Sequence, residues 1–433
     1  MAWLDKLKLN KQLVRSITAA GYAAPKEIQL KTVSRIIGGQ DTIAVGPEGC
    51  GKTTTYVLAI LNRLKYQSEG VPRVLILVPD KERVNAVIEQ FELLNSNKET
   101  AIVGLYPTPG TEAQMNALAD GADIVVATPD RARAIYLKLG LNLNKIDLLV
   151  IDDAELIVKQ GLQLPVNELA NSITNAQHLV FTTVIHDKLN KMIAPFMKLP
   201  AIVEVEETGE IALNTHPQVL YLVPNFGTKL NLLNLFMQDD ELFTKTVIFV
   251  NTRHTAEKLY KNLQNRVNNP VALLNSWFFE LAGFTDVNEF KNSATARILI
   301  VANEPDAQID LQGIPFIIHF ELPDDKDIFI NRIVNNTPLA EETLAITFAT
   351  DLELAIVKKI EHTIGKKITI AELPEELVIE KEKKKAEPSE KRLKAKQTEP
   401  VAGEAFHQKK ASNSKTYNFS SGKKAKMNKK KNH

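Results

Sequence analysis

Gly46-Pro47-Glu48-Gly49-Cys50-Gly51-Lys52-Thr53 fits the pattern G-x-x-x-x-G-K-[ST] without a mismatch. A strand-like run, Asp41-Thr42-Ile43-Ala44-Val45, precedes it, and a helical pattern, Thr54-Thr55-Tyr56-Val57-Leu58-Ala59-Ile60-Leu61, follows it. Strand, glycine loop and helix in that order restrict the chain to folds that hold a phosphate at a helix N-terminus. The glycines let successive backbone N–H groups turn inward, and the helix end adds partial positive charge. Gly46, Gly49, Gly51 and Thr54 are therefore expected to line a triphosphate site. Lys52 reaches the outer phosphates, and the Thr53 hydroxyl is a ligand for Mg²⁺.

Around the loop, short apolar runs alternate with helical patterns. The clearest strands in the first half are Thr42–Val45, Val74–Val78, Ile124–Ala127, Leu148–Ile151 and Leu179–Thr182. Continuous apolar strands separated by helices imply an α/β fold with a parallel sheet covered on both faces. Ligands then collect at the carboxyl ends of the strands. A polar stretch, Val205–Glu210, reads as a linker or domain edge. A second series of the same kind follows: Gln218–Val223, Val247–Val250, Arg297–Val301, Phe316–His319 and Leu344–Phe348, closed by the amphipathic segment Leu352–Ile364.

At 433 residues, 44% hydrophobic and 24% charged, the chain has room for two or three domains of about 150 residues each. No apolar run approaches the roughly 20 residues of a membrane span, and the first residues lack the order of a secretory signal. The single cysteine, Cys50, excludes an intrachain disulfide and a cysteine metal cluster. These features point to a cytoplasmic protein without membrane contact. The net charge of +1 hides an asymmetry: residues 381–433 hold 17 Lys/Arg against 5 Asp/Glu, leaving about −11 for the preceding 380. A basic, Lys-rich tail on an acidic body suits a polyanionic partner. Its composition, poor in large apolar residues, is that of a disordered segment.

The motifs resemble those of the DEAD-box RNA helicases across roughly residues 1–365. That resemblance implies two RecA-like domains, ATP with Mg²⁺ in the cleft between them, and single-stranded RNA across both. The corresponding boundaries are 1–205 for an N-terminal ATP-binding domain, 206–216 for a linker, 217–365 for a C-terminal helicase domain and 366–433 for a largely disordered tail. Gln29, in Gly21-Tyr22-Ala23-Ala24-Pro25-Lys26-Glu27-Ile28-Gln29, matches the glutamine that reads the adenine edge. Val150-Ile151-Asp152-Asp153-Ala154-Glu155 stands at the Asp-Glu-Ala-Asp signature. Asp152 is then the Mg²⁺-side carboxylate, whose hard oxygens suit that ion. Asp153 replaces the glutamate that orients the attacking water, and Glu155 replaces the last aspartate.

Pro79-Asp80-Lys81-Glu82 and Thr128-Pro129-Asp130-Arg131 occupy RNA-facing positions of the family. Thr128 and Arg131 are expected to contact RNA, while Asp80 and Asp130 set carboxylates in its way. Phe181-Thr182-Thr183-Val184 stands for the Ser-Ala-Thr motif that links ATP state to RNA grip. In the second half, Arg253 is open to RNA or to a partner within its own domain, and Asp310 is expected at the ribose. In the last motif Arg332 is retained, but Asn335 and Pro338 replace the two arginines that reach the γ-phosphate. Such a cation contributes about 10³–10⁵ in rate.

The resemblance thus implies an ATP-binding, RNA-binding protein with slow hydrolysis, Lys52, Asp152 and Asp153 being the catalytic positions. A nucleotide-gated RNA clamp or ribosome-assembly platform, and a protein-binding scaffold with a vestigial nucleotide site, stay open as alternatives. Ribosomal or RNA-processing proteins are the expected protein partners.

Overall fold

Uninterrupted runs of Val, Ile, Leu and Ala become strands buried on both faces. The computed structural model describes residues 7, 9–64, 70–97, 99–108, 110–206, 213–266, 271–275, 283–302, 309–335 and 343–380. One parallel sheet contains β1 (Thr42–Val45), β2 (Val74–Leu77), β3 (Ile102–Leu105), β4 (Ile124–Ala127), β5 (Leu148–Ile151), β6 (Gln177–Thr182) and β7 (Ala201–Glu204). Their order is β3-β4-β2-β5-β6-β1-β7. The second parallel sheet contains β8 (Gln218–Leu222), β9 (Thr246–Val250), β10 (Val271–Leu274), β11 (Gly283–Phe284), β12 (Ile298–Ala302), β13 (Phe316–His319), β14 (Leu344–Ala349) and β15 (Thr369–Ala371). Its order is β11-β10-β12-β9-β13-β14-β8-β15.

Alternation along each strand feeds two cores. Leu75 and Leu77 of β2 join Ile43, Val125 and Leu149 on one face, against Ile157, Val166 and Leu169 of the covering helices. Val74 and Ile76 join Ala44, Val126 and Val150 on the other, against Tyr56, Val57 and Ile60. Helices on both faces are what a parallel sheet requires, because each crossover must bury its own apolar stripe. The same crossovers bring every strand end of one sheet to one edge. β1 lies beside β6, and β6 beside β5. The loops after these three strands are therefore neighbours, although the end of β1 at Val45 is far in sequence from the ends of β5 at Ile151 and β6 at Thr182.

Five strands were not anticipated. β3, β7 and β15 are partly exposed, with Ile202 and Ile370 each about 60% accessible, so their apolar pattern is diluted. β10 and β11 are short and lie at the β11 edge of their sheet. Residues 366–380 were assigned to the tail on composition, but β15 pairs with β8, Ile368 is buried, and Leu373 and Leu377 pack on the second core. Asn225 Nδ2 donates to the Glu380 carbonyl at 2.6 Å, and the Glu380 N–H to Thr228 Oγ1 at 3.1 Å. The tail 381–433, Pro338 and most of the linker (207–212) lie outside the described residues.

Contacts also join the halves. Leu352 packs against the core under β1 and β2. Lys159 meets Asp324 at 3.3 Å, and Lys367 meets Glu206 at 2.8 Å. No described helix is long and apolar enough to cross a membrane.

His319, at the end of β13, is fully buried between the rings of Phe249 and Phe329, with centroids 5.6 and 4.2 Å away. Neither ring nitrogen has a hydrogen-bond partner among the described residues. Burial, with the Arg332 charge adding to it, pushes the imidazole well below its ordinary value, so it is neutral in the fold. Unfolding lets it take a proton below about pH 6.5, so stability is lost as pH falls. His319→Phe is expected to remove this acid sensitivity and the unpaired nitrogens, stabilising by about 1–3 kcal/mol. Thermal denaturation at pH 7 and pH 5 checks it: parallel midpoints for variant and wild type would contradict the assignment.

Candidate nucleotide-binding site

The fully buried strand β1 delivers the chain to Gly46, where a Cβ would come within 2.7 Å of Cys50 Sγ. Gly51 has φ +97°, and a Cβ there would also crowd Gln29 Nε2 at 3.1 Å. Only glycine meets both demands, and the helix Lys52–Arg63 starts directly after it. Gln29 thus lies against the phosphate loop. It is buried, and its Oε1 accepts from the Lys26 N–H at 2.9 Å. Lys26 Nζ in turn donates to the Gly49 carbonyl.

Lys52 is buried and arches back over its own loop, donating to the carbonyls of Gly46 (2.7 Å) and Pro47 (3.0 Å). Thr54 is buried beside it. The Thr53 hydroxyl donates to Asp152 Oδ2 at 3.3 Å, and the Tyr56 hydroxyl donates to the same oxygen at 2.8 Å. Asp152 ends β5. Burial, with the neighbouring Asp153 charge, raises its pKa to about 6 against the opposing pull of Tyr56 and Lys52. A hydroxyl and a carboxylate with hard oxygens, side by side next to a lysine, are a donor set that fits Mg²⁺ carried by a phosphate chain.

Asp153 adopts the left-handed conformation, φ 47°, which non-glycine residues hold at a cost of about 1–3 kcal/mol. The Asp153 N–H donates to Asp152 Oδ1 at 3.0 Å, which fixes the bend. Its own carboxylate is pushed up by burial and by the Glu155 charge, while Arg83 Nε stands 3.2 Å from Oδ2. Glu155 accepts the Thr182 hydroxyl on one oxygen and the Thr183 hydroxyl on the other, both at 2.8 Å. The acidic turn after β5 and the threonine pair at the end of β6 are therefore one buried unit.

The positions expected to face RNA differ in their exposure. Thr128 is 8% exposed at the start of the helix Pro129–Leu137. Arg131 is half-buried, and its Nε donates to Gln114 Oε1 at 2.7 Å. Asp80 caps the helix Lys81–Leu94 by accepting the Arg83 N–H at 2.8 Å. Arg253 is exposed on the first turn of the helix Arg253–Gln264.

Asp310 does not join the phosphate loop through any described contact. It pairs with Lys291 at 2.8 Å and accepts the Gln312 N–H, both inside the second half. Arg332 is turned inward, its guanidinium 3.8 Å from the Phe249 ring centroid, with burial lowering its pKa to about 10. Asn335 is tied to Asn214 by two hydrogen bonds of 3.1 Å, one from its own N–H and one to its carbonyl.

Three residues of the site escaped the sequence reading. Tyr56 lies one helical turn after Thr53, a spacing that puts both on one face. Arg83 carries no signal beyond charge. Lys359, on the helix Leu354–Ile364 of the second half, meets Glu48 of the phosphate loop at 2.7 Å.

The sequence is similar to those of known proteins. Residues 26–192 match the family model described as DEAD/DEAH box helicase. The chain is similar to the ATP-dependent RNA helicase DeaD of Buchnera aphidicola subsp. Schizaphis graminum, 27% identical over 378 residues, covering 85% of this chain and 60% of that protein. It is also similar to the RNA helicase CrhR of Synechocystis sp., 26% identical and covering 86% and 75%. For the ATP-dependent RNA helicase eIF4A of Kluyveromyces lactis the values are 27%, 86% and 92%. The chain thus spans about three fifths of the length of the DeaD relative. Among solved structures, a DEAD box protein from the hyperthermophile Methanococcus jannaschii aligns with a TM-score of 0.48 at 20% identity, covering 85% of this chain and 98% of that one. Residues 26–192 thus match the DEAD/DEAH box helicase model, and over most of its length the chain is similar to ATP-dependent RNA helicases.

Proposed function

We propose that this chain binds ATP with Mg²⁺ at the phosphate loop, grips RNA across its two halves, and hydrolyses the nucleotide slowly. The observation that carries the reading is the meeting of Lys52, Thr53 and Asp152 at the ends of β1 and β5. The names of its relatives, ATP-dependent RNA helicases, support the same ligands. When bound, Mg²⁺ supplies charge neutralisation at the phosphates. Gln29 holds the adenine side, Lys52 the phosphates, and Thr53 with Asp152 the ion. Asp153 orients water, restrained by Arg83. Thr128, Arg131 and Arg253 contact the RNA backbone, Asp310 serves the ribose after leaving Lys291, and the Lys-rich tail adds sequence-independent affinity.

Glu155 has a positioning part. Its two threonine partners transmit a change at the acidic turn to β6, beside β1. A second reading, an RNA clamp or ribosome-assembly platform that gates on nucleotide without turnover, is favoured by Asn335, which neutralises no charge. Domain limits near 205 and 217, and a cytoplasmic setting, belong to the same reading.

Calorimetric titration with ATP and MgCl₂, with and without single-stranded RNA, tests it. Lys52→Ala removes charged hydrogen bonds worth about 1.5–3 kcal/mol, so affinity is expected to fall roughly 10- to 150-fold. Absence of nucleotide uptake by the wild type, with RNA supplied, would end the proposal.

A further inference from the structure

Glu48 occupies a variable position of the phosphate loop, and cations converge on it from both halves. Lys359 Nζ is 2.7 Å from its Oε1 and an Arg83 guanidinium nitrogen 3.8 Å from the same atom. Burial pushes the Glu48 carboxyl up, but Lys359, then Arg83 and Lys52, outweigh it and hold the group below the ordinary carboxylate range. The loop thus carries its own anion at the focus of three positive charges, while Lys52 is folded onto loop carbonyls.

The position of Lys359 is fixed from behind. Its helix begins at Glu353, whose carboxylate takes both an N–H and a hydroxyl from Thr350 and both oxygens of which bond the buried Lys229. Further along, Lys367 holds Glu206, next to the end of β7. The helix therefore rests over Gly46 and Pro47, with which Lys358, Glu361 and His362 share a pocket. Arg332 is buried over Phe249, and Asn335 carries no charge.

We propose that Lys359 is a phosphate-binding cation supplied by the second half, held at the loop by Glu48 until the terminal phosphate of a nucleoside triphosphate takes the place of that carboxylate. The proposal rests on the nucleotide reading above and adds the residue that distinguishes a triphosphate from a diphosphate. The exchange is a swap of ion-pair partners with no covalent change. A carboxylate that must be displaced costs affinity, and a lysine that gains the outer phosphate returns it selectively for the longer chain.

The test compares ATP and ADP, each with MgCl₂, by calorimetric titration of wild type, Glu48→Gln, Lys359→Ala and Lys359→Arg. Lys359 is about one-third exposed, so its replacement leaves the core intact. Loss of a charged contact worth about 1.5–3 kcal/mol predicts that Lys359→Ala weakens ATP by roughly tenfold or more. ADP should change less than about twofold, Lys359→Arg should keep most of the ATP affinity, and Glu48→Gln should tighten ATP. An unchanged ATP-to-ADP ratio in Lys359→Ala, or tighter ATP binding by it, would overturn the proposal and leave Lys359 a latch on the empty loop. Failure of the wild type to bind either nucleotide would instead sink the nucleotide reading itself.

Discussion

RNA-saturated wild-type protein will release phosphate from ATP roughly 10³–10⁵ times more slowly than a relative that carries the arginines missing here. Two features combine. Asn335 carries no charge where the resemblance implies a cation, and its backbone N–H and carbonyl are tied to Asn214. Asp153, one methylene shorter than glutamate, is also held by Arg83 at 3.2 Å, so its oxygen is drawn from where water must be aligned. A misplacement on the order of 1 Å costs about 100-fold, and the two losses need not add because the groups act together. Lys359 does not restore the rate. A contact made equally in the ground state and the transition state lowers KM and leaves kcat where it was. The measurement is RNA-stimulated phosphate release with Lys52→Ala as the blank, and turnover comparable to ordinary members of the family would reject slow hydrolysis.

Replacing Lys229 with methionine will destabilise the second half by about 3–5 kcal/mol, the usual consequence of leaving one member of a buried ion pair alone. Lys229 is 3% exposed. Its ammonium bonds the Phe320 carbonyl at 3.0 Å and the two oxygens of Glu353 at 2.8 and 2.7 Å. Burial lowers its pKa, and Glu353 opposes that shift, so the charge depends on the partner. Removing Lys229 leaves Glu353 with the Thr350 N–H and hydroxyl but without its cation, at the start of the helix that carries Lys359. Urea denaturation followed in the second half reads the loss. Lys229→Met combined with Glu353→Leu should recover most of it, since a paired replacement leaves no orphaned charge. A single-variant effect below about 1 kcal/mol would show that the pair is not a fastener.

What the sequence disclosed follows from contiguity. Gly46–Thr53 and Asp152-Asp153 sit on unbroken stretches whose residue types have few other uses, and the strands before them are uninterrupted apolar runs. The partnerships around them were invisible. Arg83 finds Asp153 across 70 residues, and Lys359 finds Glu48 across 311, because strand order decides which loops meet. A charged side chain on an amphipathic helix gives no sign of which loop it will touch. Arg332 was legible only as a retained residue of the last motif; that its flat cation stacks on Phe249 depends on which strands lie side by side. Exposed strands β3, β7 and β15 were lost because one face meets water. Lys366 and Lys367 disguised the chain around β15 as tail, hiding Ile368, Leu373 and Leu377 behind their charge.

The stretch through β15 to Glu380 sets where the protein can be cut. A truncation at residue 365 would strip the border strand from β8, open the greasy seat of Ile368, and unfasten Asn225 and Thr228 from Glu380. Damage from such a shortened protein would be misread as the contribution of the lysines. A chain ended after Glu380 keeps the sheet whole and isolates the electrostatics of the last 53 residues.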